Sequence, residues 1–193
     1  MKKVISFILL LTPGIIMAQQ LPYYEIPEYP DTYTATSVVA RMVDGLGFRY
    51  YWATEGLRDE DLAFKPSIEA RTTEETLEHI YGLVDVILNS VKEQPNTGNA
   101  SNDAMDFTTM RQLTLEKIKA TSDILKNSDP DQLSDFKIVF QRGEATTEYP
   151  FWNQINGPIA DALWHVGQVV TFRRSSGNPI TSNVSFLNGK VRK

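Results

Sequence analysis

The chain of 193 residues contains no cysteine and only two histidines. Without thiols there is no disulfide framework, so the fold must stand on its core alone. A lipid attached through cysteine behind an export signal is excluded for the same reason. Basic runs are missing too: 19 lysines and arginines face 24 acidic residues, a formal charge of −5. An acidic chain of this kind is a poor match for a phosphate backbone, so nucleic acid is not an expected partner. One long hydrophobic run occurs, residues 4–17, behind Lys2 and Lys3. It is short for a bilayer span and is followed by Ala18, Gln19 and Gln20, so residues 1–18 read as a secretory signal peptide. The expectation is a periplasmic or secreted protein with no membrane span after signal removal. Losing Lys2 and Lys3 leaves 17 basic residues against 24 acidic ones, a formal charge of −7.

What remains is ordinary globular composition, 41% hydrophobic and 22% charged, with room for one core. Residues 19–33 are rich in proline and tyrosine and read as an extended arm over the domain. Four helical patterns follow. The first spans about 34–57, where Val39, Met42, Val43, Leu46, Tyr50, Ala53 and Leu57 recur at helical spacing. Gly45 and Gly47 weaken it and point to a close approach. Residues 58–71 read as a loop. Thr72 and Glu75 have capping-box spacing at the start of the second helix, which runs to Val91. The third spans about 106–127. Residues 128–157 are the least helical, with a hairpin or irregular crossover around Arg142 and Gly143. The last helix starts at Asn156-Gly157-Pro158, with proline at the first helical position, and stops at Gly177. Arg173 and Arg174 near its end suit the helix dipole. Residues 34–180 are therefore expected to form one all-α domain, a four-helix bundle with a partly extended connection before the last helix. Residues 181–193 are a tail that packs as a strand or frays.

The chemistry gathers on the last helix. Residues three, four or seven apart share a helix face, so Asp161, His165, Gln168 and Phe172 form one stripe, with Trp164 beside it. Ile159, Leu163, Val166, Val169 and Val170 make the rest of the circumference apolar. That pattern predicts a buried helix whose polar stripe faces protein or a cavity. A buried aspartate left alone costs several kcal/mol, so a partner is required. One reading pairs Asp161 with His165 by hydrogen bond and nothing more. Another makes the pair metal ligands, with the other histidine, His79, as the third. His79 lies on the second helix beside Leu83 and Val86, at the margin of the apolar arc. A third reading, an Asp–His general base, needs a nucleophile in reach; Thr171 and Ser175 lie off its face.

The segments TTEETLEHIYGL on the second helix and DALWHVGQVVTFRRSSGNP on the last resemble, in that order, the DinB-like superfamily of YfiT-type metal-dependent hydrolases. The resemblance covers about residues 34–180. It implies a four-helix bundle with a divalent metal held by three histidines, one in an L-x-H-I context and two in H-x-x-x-H-x-G-Q. His79 matches the first position, and His165, Gly167 and Gln168 match the end of the second pattern. Asp161 departs from it, standing where the family has a histidine. The resemblance thus implies a two-histidine, one-carboxylate set suited to zinc, nickel, iron or manganese, or alternatively a site that has lost its metal. It makes Gln168 a catalytic candidate that holds water or orients a ligand. Around such a site Trp164, Phe172, Tyr50 and Trp152 are candidate substrate-binding walls, with plain core packing the alternative for each. Hydrolysis or thiol transfer on a small molecule is the implied activity. The alternative is a non-catalytic helical-bundle binding protein in which the His/Asp cluster is structural. Related bundles often dimerise.

Overall fold

A computed structural model of the chain describes residues 20–98 and 105–192; the expected signal peptide at 1–18 lies outside them. No helix among the described residues is long and apolar enough to cross a membrane. Four long helices carry the structure: α1 (Ala35–Thr54), α3 (Thr73–Val91), α4 (Phe107–Lys126) and α6 (Ala160–Ser175). Their starts follow local chemistry. At α1 the Thr34 hydroxyl accepts from the Ser37 amide at 3.1 Å, and Ser37 Oγ accepts from the Thr34 amide at 2.8 Å. At α3 the expected capping box forms, Thr72 with the Glu75 amide at 3.1 Å and Glu75 with the Thr72 amide at 2.7 Å. Asp106 caps α4 through the Thr109 amide at 2.9 Å. Such caps satisfy amides that the first turn leaves unpaired and stabilise a helix by about 1 kcal/mol each.

The four helices pack in a closed ring: α1 against α4, α4 against α3, α3 against α6, and α6 against α1. Leu46 and Tyr50 of α1, Leu77 and Ile80 of α3, Leu115 and Ile118 of α4, and Ala162 and Val169 of α6 are fully buried within it. Each large apolar side chain so buried stabilises the fold by about 1.5–3 kcal/mol. Two small sheets accompany the helices, at the places the sequence marked as extended. Strands β1 (Ile138–Arg142) and β2 (Ala145–Tyr149) form an antiparallel hairpin around Gly143, and β3 (Val184–Ser185) pairs with β4 (Lys190–Val191) in the tail. A short helix, α2 (Asp59–Leu62), interrupts the expected loop at 58–71.

The last helix opens where the sequence placed it, behind a short helix that the sequence did not show. Helix α5 (Phe151–Gln154) and a wide turn, Ile155–Ile159, precede the regular part of α6, and the helical course is broken inside that turn. The backbone kinks at Gly157 (φ −100, ψ −109). Pro158 comes next, at the first helical position after the break, where its missing N–H leaves no intrahelical bond unmade. Fully buried Gln154 donates to the Val86 carbonyl of α3 at 3.3 Å, which ties the entrance of α6 to α3.

At its other end α6 is held by Arg173, only 3% exposed. Its Nη1 lies 2.9 and 3.1 Å from the carbonyls of Trp52 and Ala53 and 3.1 Å from that of Glu55, while Nε donates to the Asn178 carbonyl at 2.6 Å. A residue read from sequence as a dipole partner is in fact the cap of α1. The arm is fixed as firmly. Tyr23, at φ +72, lays its ring on Gly47 and donates to buried Asp44 at 3.1 Å, and Ile26 donates its amide to the Gly189 carbonyl of the tail at 2.9 Å.

Candidate metal centre

Two helices that are neighbours in the ring, α3 and α6, bring the two histidines of the chain face to face. Their rings meet edge to face with centroids 4.6 Å apart. Asp161, in the first turn of α6 where the dipole favours a carboxylate, stands between them. Its Oδ2 lies 3.5 Å from His79 Nε2 and its Oδ1 3.3 Å from His165 Nε2. One potential ligand atom from each of the three residues lies within 4.8 Å of the others.

An N–H···O hydrogen bond spans about 2.7–3.2 Å, and both imidazole–carboxylate contacts, one to each carboxylate oxygen, are longer. Ligands at about 2.0–2.1 Å from a tetrahedral ion stand roughly 3.3–3.4 Å apart. The cluster is compatible with a metal site. The donor set, two neutral nitrogens and one hard oxygen, suits a first-row divalent ion.

Gln168, one turn past His165, fixes that ring. Its Oε1 lies 2.8 Å from His165 Nδ1. For the amide oxygen to accept there, Nδ1 carries the proton and Nε2 keeps its lone pair toward Asp161. Gln168 thus contacts the imidazole of His165 directly.

The stripe is more open than the sequence implied. Side-chain exposure is 17% at His165, 35% at His79 and 41% at Asp161, so solvent reaches the cluster. Of the other long helices, α6 packs on α3 and α1. Trp164 is 72% exposed, and Trp152 is 76% exposed beside Leu133 and Pro150. Trp152 lines a hollow of ≈ 270 Å³ there, with Phe151 and Ile155. Tyr50 is fully buried in the core and has no surface to offer a ligand; burial pushes its hydroxyl up to about 12. Phe172 is half-buried, 5.8 Å ring to ring from Phe64.

Two residues that matter to this arrangement were passed over in the sequence. Gln154 is marked only by its burial. Asp61 lies in the segment read as a loop. It is buried and accepts from the Arg58 guanidinium twice and from the Arg58 amide once, each at 2.9 Å, from Ser176 at 2.5 Å and from Asn178 at 2.7 Å, tying α2 to the end of α6. The Arg58 guanidinium first, then Ser176, the Arg58 amide and Asn178, hold its carboxyl well below the usual range against the opposing effect of burial. Its signal was the i,i+3 spacing of Arg58 and Asp61.

Set against known proteins, no family model matches the chain, and no curated protein matches it. Among solved structures the fold is similar to the crystal structure of a DinB-like protein, YjoA, from Bacillus subtilis. The TM-score is 0.56 at 16% identity, over 72% of this chain and 92% of that one. The chain has a DinB-like fold.

Proposed function

We propose that on this DinB-like fold the four long helices form a four-helix bundle holding a divalent metal at His79, Asp161 and His165. The centre serves metal-dependent hydrolysis or thiol transfer on a small molecule. The observation that carries the reading is convergence: one possible ligand atom from each of the three residues, on two helices, lies within 4.8 Å of the others. A bound divalent ion supplies Lewis acidity, lowering the pKa of a coordinated water or polarising a substrate carbonyl or thiol. The chain's own residues do the rest. His79 and His165 offer lone pairs from two different helices, so the site closes only when α3 and α6 are docked. Asp161 adds the negative charge that the family pattern lacks at this place, which favours harder ions over a three-histidine set. Gln168 holds the His165 tautomer. The exposure of the cluster, with exposed Trp164 on the same helix, leaves a substrate free to approach from solvent. Export, from the reading of residues 1–18, places this chemistry outside the cytoplasm.

The test is elemental analysis of protein prepared without a histidine tag and equilibrated with zinc, nickel, iron or manganese. The expected result is about one ion per chain, lost in His79→Ala and in His165→Ala. A chain that stays metal-free, with both variants as stable as the parent, overturns the metal reading and leaves a structural polar cluster.

A further inference from the structure

On α6, Leu163, Val166, Gly167, Val170, Thr171 and Arg174 recur at helical spacing on the face opposite His165. That face and α1 enclose a groove of ≈ 730 Å³, within the roughly 300–1,000 Å³ typical of small-molecule sites. Its walls are Met42, Leu163, Val166, Val170 and Phe186, and its floor is opened by a glycine from each helix, Gly45 and Gly167. A Cβ at Gly167 would meet nothing within 4 Å, so the space there is real. A second hollow of ≈ 340 Å³ under Tyr29 and Tyr33 shares Arg41 and Met42 with it, extending the apolar track beneath the arm.

Three arginines line this apolar groove: Arg41, Arg49 and Arg174. Arg49 donates to the Gly45 carbonyl at 3.1 Å, and Arg41 to the Pro27 carbonyl at 2.7 Å while stacking over Tyr29. None of the three is paired with a carboxylate among the described residues, although the chain as a whole is acidic. Unpaired guanidinium groups beside buried-type side chains are a surface built for an anion that carries an apolar body. Their placement gives it a direction. Arg173 ties the end of α6 to the end of α1, so α1 and α6 run parallel, and Arg49 and Arg174 stand toward the same end of the groove.

We infer that the α1–α6 groove binds an anionic amphiphile, a small molecule with one carboxylate head and an alkyl body. The head meets Arg49 and Arg174, and the chain lies along Val170, Val166 and Met42 toward the arm. This site is separate from the His79–Asp161–His165 centre, on the other face of α6, and stands or falls without it.

The experiment titrates the full chain calorimetrically with dodecanoate below its micelle concentration, with dodecanol and acetate as the uncharged and tail-less arms. Dodecanoate is expected to bind at one site, with acetate not binding and dodecanol weaker by about tenfold or more, the worth of a charge-assisted contact. Arg49→Gln with Arg174→Gln should weaken dodecanoate by a similar factor and leave dodecanol unchanged. Gly167→Leu, which fills the groove, should abolish both, with the melting temperature as a check that the chain is folded. Absence of saturable dodecanoate binding overturns the proposal, as does equal affinity in the arginine variant. So does a chain that sediments as a dimer and becomes monomeric with Gly167→Leu, which would give the groove to a second copy.

Discussion

Replacing Gln168 by leucine tests the centre without touching a proposed ligand. The side chain makes one contact of consequence, the 2.8 Å bond to His165 Nδ1. Without that acceptor the imidazole is free to turn and to move its proton to Nε2, the atom that faces Asp161. Loss of such an orienting partner typically weakens metal binding 10–100-fold. With zinc at about 1,000 times the parent Kd, bound ion stabilises the fold by about 4.1 kcal/mol. For a variant bound 100-fold more weakly, the same zinc concentration is about 10 Kd and contributes about 1.4 kcal/mol. The difference is about 2.7 kcal/mol. For a chain of this size, at about 2–4 °C per kcal/mol, that is about 5–11 °C of melting temperature. Without metal the variant should melt within a degree or two of the parent, because Gln168 is only half-buried. The assay is differential scanning calorimetry with zinc and with chelator. A zinc-dependent shift in Gln168→Leu equal to the parent's would refute the role of this hydrogen bond.

Arg173→Met should cost about 3–5 kcal/mol in urea unfolding, since the carbonyls of Trp52, Ala53 and Asn178 lose a charged donor inside the fold; a loss under 1 kcal/mol contradicts the clamp. Asp61 has a folded-state pKa depressed below its unfolded value near 3.9, so its contribution is complete above about pH 4 and is lost as pH falls toward the folded pKa. Asp61→Asn should therefore be less stable than the parent by about 2–3 kcal/mol at pH 7. The gap should narrow by about 1.4 kcal/mol per pH unit below 4, and urea midpoints that keep it constant down to pH 2 count against the assignment. Gly47→Ala puts a methyl 2.5 Å from the Tyr23 ring, so the arm must lift. A loss of about 1–3 kcal/mol is expected, with faster proteolysis near residue 23, and an arm as protected as the parent's would show that the close approach is not required.

The four long helices were legible because their apolar residues repeat at 3.6 and their caps are local: Thr72 and Glu75 sit three residues apart whatever the rest of the chain does. The site was legible as a list, His79, Asp161 and His165, through spacing on α6 and the resemblance of short motifs. The two hairpins were less so. β1 gave a signal in FKIVF, but the tail strands are two residues each and exist because Ile26 of the arm and Gly189 meet. Pro158 after Asn-Gly marked the start of the last helix, and the non-helical backbone at Gly157 agrees; the short helix α5 just before it gave no signal.

Periodicity and capping depend on neighbours a few positions apart, so the chain by itself determined the helices, their starts, and which residues share a face. Whether a face is covered depends on what arrives from elsewhere, and only the packing decided that. It buried Arg173 and Asp61 and left Trp164 in solvent. It also set Asp161 of α6 between its own His165 and His79 of α3, across a distance that no repeat in the sequence encodes.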